Sequence, residues 1–380
     1  MKKLNLLLLL ILFTVSCNSS KKQNIVGEWI LEEKKDQETD EPPMPFARDP
    51  QIFIFNQDGT YINKNGYFKR IENAKWDENK TLYLGEKTQY KIKDDSLLIF
   101  NLIENKFESN KILQITKSKI VLELKDKSLI TLISTKSKQY KNTPIDKIVV
   151  SKSACYGSCP INSTIIDVNG DFLFYGERYN LKNGFFKSEV SSNITQGIFN
   201  EIKNIDIKSL KPEYSVSATD LPSSTITFIS KGKIIKTIYD YGGESPFELK
   251  RLIRNISYLY QTIPLQPISV KDPSLIYNFT SKTKRVSLEK ESERFYLFNE
   301  LLKAKIINKN LEKLAFSGKY LIDLPEDYEY DKMHLYERHI YTNGQIFNIQ
   351  LRDKTIKTLD LGYNFFDKNN LIRSINDTLR

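Results

Sequence analysis

The sequence predicts a mixed β and α+β chain: an N-terminal antiparallel β-barrel followed by one or two small α+β modules. Three observations lead there. Short β-branched and aromatic runs recur with turn residues between them from Ile25 to Ser134, without a convincing helical pattern. Amphipathic helical stripes appear only beyond residue 190. The 380 residues, 40% hydrophobic and 27% charged, suffice for two or three ordinary packed cores.

The first residues read as an address. Met1-Lys2-Lys3 is a basic start, and Leu4 to Val15 is an apolar run of twelve residues broken by Asn5 and Thr14. A helix of that length spans about 18 Å against a hydrocarbon core of about 30 Å, so the segment is a signal peptide rather than a membrane span. Ser16-Cys17 follows directly, and the stretch resembles the lipobox of bacterial lipoproteins, with Thr14 where that motif usually has Leu. The resemblance implies diacylglycerol attachment at Cys17, cleavage before it, and a lipid bilayer as partner. Residues 1–16 are then the signal peptide and 17–24 the lipidated Cys and its tether. By analogy with retention signals, Asn18 points to the outer membrane, facing the periplasm.

Loss of Lys2 and Lys3 lowers the formal charge from +10 to +8. The positive residues are scattered lysines interleaved with Asp and Glu. This is the composition of a solvated surface, and export argues against a nucleic-acid partner.

Within 25–134, nine runs read as strands: Val26–Leu31, Ile52–Phe55, Thr60–Ile62, Thr81–Leu84, Gln89–Ile92, Leu97–Leu102, Lys111–Ile115, Ile120–Leu124 and Leu129–Ile133. Asp58-Gly59 between the second and third is a hairpin turn. The opening Gly27-Glu28-Trp29 resembles the Gly-x-Trp start of lipocalin-like domains, which implies a barrel with Trp29 closing its floor. Such a barrel is either filled by side chains or holds one small ligand. Pro42, Pro43 and Pro45 exclude regular structure from the loop after the first strand.

Polar residues 135–143 form a linker. Residues 145–262 then show a strand over Lys147–Lys152, a cysteine turn, and a hairpin at Asn169-Gly170. A helical stripe follows at Ile194, Ile198, Phe199 and Ile202, then two more strands. Ser245-Pro246 opens a helix striped by Leu249, Leu252, Ile253, Ile256 and Leu259. Cys155-Tyr156-Gly157-Ser158-Cys159-Pro160, Asp167–Gly170, Tyr175-Gly176, Tyr214, Thr219-Asp220-Leu221-Pro222 and Asp240-Tyr241-Gly242 together resemble DUF6438. This domain of unknown function recurs in secreted and lipid-anchored proteins of Bacteroidota. The resemblance implies an α+β fold and a cell-envelope setting, and no activity.

The region 264–380 reads as a C-terminal α+β domain. Its helix over 291–307 places Phe295, Phe298, Leu301, Leu302 and Ile306 on one side. A hairpin over 340–361 turns at Asn343-Gly344, and a terminal helix covers 366–375. Lys233–Ile238 and Lys354–Leu359 are similar strands, each followed by an aromatic-Gly turn, so a degenerate duplication and chance similarity are both open.

Few residues offer chemistry. In an exported chain Cys155 and Cys159 pair as a structural disulfide, with Gly157 giving the turn its freedom. A redox dithiol is the alternative, but the spacing is Cys-x₃-Cys and no helix follows. His334 and His339 lie five apart, about 140° around the axis of a helix or on opposite faces of a strand, and are poor co-ligands from one element. Glu326, Asp327, Glu329 and Asp331 lack a calcium-loop pattern and read as a solvated loop. Ser281–Lys284 fits Ser-x-x-Lys, as does Ser19–Lys22, which shows how cheaply a Lys-rich chain gives that match. No cofactor motif is present. The reading is a lipid-anchored, non-catalytic binding module for a small apolar ligand or an envelope protein. An envelope hydrolase or thiol oxidoreductase is the alternative.

Overall fold

A computed structural model describes residues 24–32, 48–71, 80–270, 278–308, 316–322, 336–350 and 355–375. The chain divides into two compact units. One comprises Met1–Tyr140 with Ser245–Asn255; the other comprises Lys141–Glu244 with Ile256–Arg380.

The first unit is a closed eight-stranded barrel. Its strands are β1 (Gly27–Leu31), β2 (Ile52–Phe55), β3 (Thr60–Ile71), β4 (Lys80–Lys93), β5 (Ser96–Asn101), β6 (Lys106–Ile115), β7 (Lys119–Glu123) and β8 (Leu129–Thr135). Each pairs antiparallel with the next, and β1 closes on β8. The nine expected runs become eight strands because 81–84 and 89–92 are one strand, continuous through Gly85. The third run also extends well past Ile62, with register shifts around Tyr67. Gly66 serves this irregularity. Its φ is +74°, and a Cβ there would lie 2.7 Å from the Tyr83 ring, so only glycine fits.

Alternate residues point inward and build a core from Ile25, Trp29, Phe55, Tyr61, Tyr90, Leu97, Ile112, Ile120, Leu122 and Leu132. Trp29 is 1% exposed, and its indole donates to the Ile25 carbonyl at 2.7 Å. The Phe55 ring lies 4.9 Å from Tyr61 and 5.0 Å from Tyr90.

The second unit holds two eight-stranded sheets. One has the order β13-β15-β14-β9-β10-β11-β12-β16. Its strands are β9 (Lys147–Lys152), β10 (Ile161–Asp167), β11 (Asp171–Arg178), β12 (Gly184–Glu189), β13 (Glu213–Ser215), β14 (Ser223–Ser230), β15 (Lys233–Tyr241) and β16 (Gln266–Pro267). The other has the order β19-β23-β22-β21-β20-β17-β18-β24. Its strands are β17 (Asn278–Thr280), β18 (Lys284–Ser287), β19 (Lys305–Ile306), β20 (Phe316–Ile322), β21 (Tyr336–Thr342), β22 (Ile346–Gln350), β23 (Ile356–Asp360) and β24 (Ile372–Ser374).

Four α-helices are described: α1 (Ser192–Glu201), α2 (Phe247–Ser257), α3 (Glu291–Lys303) and α4 (Phe365–Lys368). No helix among the described residues is long and apolar enough to cross a membrane. Most of α2 belongs to the first unit. Arg251 and Arg254 pair with Glu86 on β4 at 2.7 and 2.8 Å, and Tyr83 donates to Asn255 at 2.8 Å.

Helix α3 packs on β9, β10 and β14. It lies in one core with Val149, Ile165 and Ile229 from the first sheet of its unit and Phe279, Phe316 and Phe347 from the second. The stretch beyond 264 thus shares its core with the stretch before 244. A helix covered from more than one side is buried around its circumference. Tyr296 and Leu297 are buried along with Phe295 and Phe298. Leu302 and Ile306, expected on the buried side, are 42% and 61% exposed; Ile306 lies outside the helix, which ends at Lys303 with β19 two residues later. The expected terminal helix shrinks to the single turn of α4. Asn370, with φ of +54°, then redirects the chain into β24.

Candidate functional site

The cysteine turn joins β9 to β10, and Cys155 and Cys159 are disulfide-bonded with Cα atoms 5.7 Å apart. Both are half-buried, while Tyr156 between them is 88% exposed. The Tyr156 amide donates to the Asp220 carbonyl at 3.0 Å, so the turn is held against the loop that precedes β14. Gly157 has φ of +134°, as a turn this tight requires.

The remaining sequence candidates do not converge. His339 lies on β21 opposite Lys319, its ring stacked 6.1 Å from Tyr341, and His334 is outside the described residues. So are Cys17, the acidic stretch 326–331, Ser19–Lys22 and the prolines at 42–45. Ser281 Oγ donates to the Lys284 carbonyl at 3.1 Å and accepts from its amide at 3.0 Å. Its Ser-x-x-Lys run is the turn joining β17 to β18. Among the described residues no group of three or more His, Cys, Asp and Glu side chains is placed to hold a metal ion.

Inside the barrel, Tyr61 is packed in the aromatic group, and burial holds its phenol well above the ordinary value. Tyr67 packs on the same core but keeps polar company. Burial pushes its phenol up to about 12, the nearby Glu108 carboxylate adds to the rise, and a hydrogen bond with Asn63 works against it.

A cavity of about 610 Å³ lies in the second unit, within the usual range for small-molecule sites. Ile165, Leu173, Phe172, Ile268 and Leu302 give it an apolar lining; Lys147, Lys187, Asp167 and Asn299 add polar groups. Each arrives for a local reason. Asp167 ends β10, and its carboxylate accepts the amides of Asn169 and Asp171 at 2.9 and 3.1 Å, closing the hairpin into β11. Asn299 and Leu302 lie near the C-terminal end of α3. Ile268 is set by β16, and its amide donates to the Phe185 carbonyl at 2.9 Å.

Several of the charges at the cavity are tied down. Lys147 pairs with Glu300 at 3.2 Å, and Tyr363 donates to the other Glu300 oxygen at 2.9 Å. Burial, and after it Glu300, holds the Tyr363 phenol above its ordinary value. Lys303 meets Asp171 at 3.3 Å on the exposed side. No local motif announces this site. Its walls are more than 150 residues apart in sequence, and its lysines are indistinguishable from the other scattered ones. The sequence singled out only the Asp167–Gly170 turn and, as part of a helical stripe, Leu302.

The fold and these sites define a two-unit protein: a lipocalin-like closed barrel, an architecture consistent with a non-catalytic ligand-binding module, and a mixed α+β unit. Residues 146–260 match the family described as "Domain of unknown function (DUF6438)", so the chain carries a DUF6438-homologous region in its centre. Comparisons with curated proteins and with solved structures give no match.

Proposed function

We propose that the chain is a lipid-anchored cell-envelope protein that binds, without transforming it, a small molecule with an apolar body and a polar end. The observation that carries this reading is the 610 Å³ cavity of the second unit, with its apolar lining and tethered polar groups. The barrel is the less favourable seat, because its inward-facing aromatics pack on one another at 4.9–5.9 Å. The Cys17 sequence context supports the anchor and the compartment, and by analogy the periplasmic face of the outer membrane.

Anilinonaphthalene sulfonate has the chemistry of such a ligand and is a direct probe. The mature protein is expected to bind it with one-to-one stoichiometry, read by fluorescence titration. Ile268→Trp, at a half-buried wall position, fills the space and is expected to weaken binding about ten-fold, the effect of losing roughly 1.4 kcal/mol. Unchanged binding by a folded Ile268→Trp variant would remove the cavity as the site.

A further inference from the structure

At one end of the β9-containing sheet, the register aligns Tyr214, Asp240, Ser224, Lys152, Asn162 and Gly176 across β13, β15, β14, β9, β10 and β11. Directly opposed residues share a face of a sheet, so these six form one row. The loops around the row are stitched together. Ser153 donates its amide to the Ser223 carbonyl at 2.9 Å, Gly242 to Pro222 at 3.1 Å, and Leu221 to the Tyr241 hydroxyl at 3.3 Å. The disulfide turn joins them through Tyr156 and Asp220.

Lys152 sits in the middle of this row. It is half-buried, its amine lies 5.1 Å from the centre of the Tyr258 ring, and no carboxylate among the described residues pairs with it. Two polar atoms of the facing strand are also left over. Asn162, opposite Lys152 and 2% exposed, gives its Nδ2 to Asn180 at 2.8 Å, which leaves Oδ1 without a partner. Thr164, two residues further along the same face, is 0% exposed, and its hydroxyl is unpartnered. Buried polar atoms are normally satisfied, and two orphans on one strand face beside an unpaired lysine call for a molecule that satisfies them.

We propose that Lys152 is a carbonyl-reactive amine, anchoring a small site that takes an aldehyde or keto compound as an imine. The Nζ lone pair attacks the carbonyl carbon and a nitrogen proton passes to the oxygen. Water then leaves as the C=N bond forms, so no oxidant or reductant is consumed. The carbinolamine that precedes the imine presents both O–H and N–H groups, matching the leftover acceptor of Asn162 and the hydroxyl of Thr164. Burial pushes the Lys152 ammonium down to about 8. Near pH 7.5 that gives on the order of 100-fold more neutral amine than an ordinary lysine. Asp240 is on the same face two strands away, and its carboxylate accepts the Glu244 amide at 2.8 Å.

Reductive trapping tests the assignment on the wild-type mature protein. Benzaldehyde and cyanoborohydride are added near pH 7.5, and modified lysines are mapped by peptide mass spectrometry. Lys152 is expected to be alkylated at least about ten-fold faster than Lys127, whose side chain is 80% exposed. In urea-unfolded protein the two rates converge, and in Lys152→Arg the fast site disappears while the others persist. Trapping of Lys152 in the folded protein at or below the rate of Lys127 would overturn the proposal.

Discussion

Lys64 is 2% exposed and donates to Glu28, Glu248 and Ser137 at 2.9, 2.9 and 2.8 Å. Lys64→Met leaves the partly buried Glu28 without the cation that pairs with it, and leaves Glu248 with Arg251 alone, at 3.6 Å. A fully buried pair broken this way loses 3–5 kcal/mol. Glu28 and Glu248 retain 16% and 23% of their side-chain surface, so the expected loss is about 2–4 kcal/mol in a urea unfolding curve. Burial works to raise the Glu28 carboxyl, but hydrogen bonds from Ser137 and Lys64 outweigh it and hold the carboxyl below its ordinary value. The linkage sign follows. A lowered folded-state value contributes stability that is present above the unfolded value of 4.5 and lost as pH falls through the folded one. Glu28→Gln is therefore expected to flatten the decline of the urea midpoint below about pH 4.5. The Cys155–Cys159 bond closes so short a loop that replacing both residues by Ser is expected to cost about 2 kcal/mol. Retained stability in the double variant would show that the turn is held by its hydrogen bonds alone.

Among the elements, α4 is the clearest case of one side chain fixing a structure. Asn364 Oδ1 accepts the amides of Phe366 and Asp367, each at 3.0 Å, and its Nδ2 donates to the Asn343 carbonyl in the β21–β22 turn at 3.0 Å. Asn364→Ala removes the cap and this tie together. An expected loss of 1–2 kcal/mol, about the upper half of the range for caps, is read as a lowered thermal midpoint. The same element shows where local pattern reading stops. Phe365 and Phe366 look like the start of a longer amphipathic helix, but one turn suffices to bury both. Helix α3 misled in another way. A single apolar stripe describes a helix on a surface, and this one is enclosed by side chains from two sheets. Strand periodicity was the more dependable guide in the barrel, where one face meets the core and the other does not, and it fell short where β4 runs on through Gly85 and where β3 runs on past Ile62.

At the scale of the molecule, the barrel was legible because antiparallel neighbours in sequence are neighbours in space, so every pairing is local except the closure of β1 on β8. The cavity was not legible, because residues from 147 to 303 meet there and no short window carries the pattern. The address stands on sequence alone. Cys17→Ala is expected to move the protein from the membrane to the soluble fraction and to abolish incorporation of labelled acyl chains. An unchanged distribution would withdraw the anchor and the compartment together.

The grouping of Ser245–Asn255 with the barrel, while the residues before and after it belong elsewhere, has consequences for how the protein is made. A barrel built from residues 25–140 alone would lack Glu248 for Lys64 and both arginines for Glu86. During synthesis Glu86 has neither arginine, and Lys64 has only Glu28 and Ser137, until more than a hundred further residues have emerged. The barrel therefore gains the last of these ion pairs only after the strands that follow it have been made.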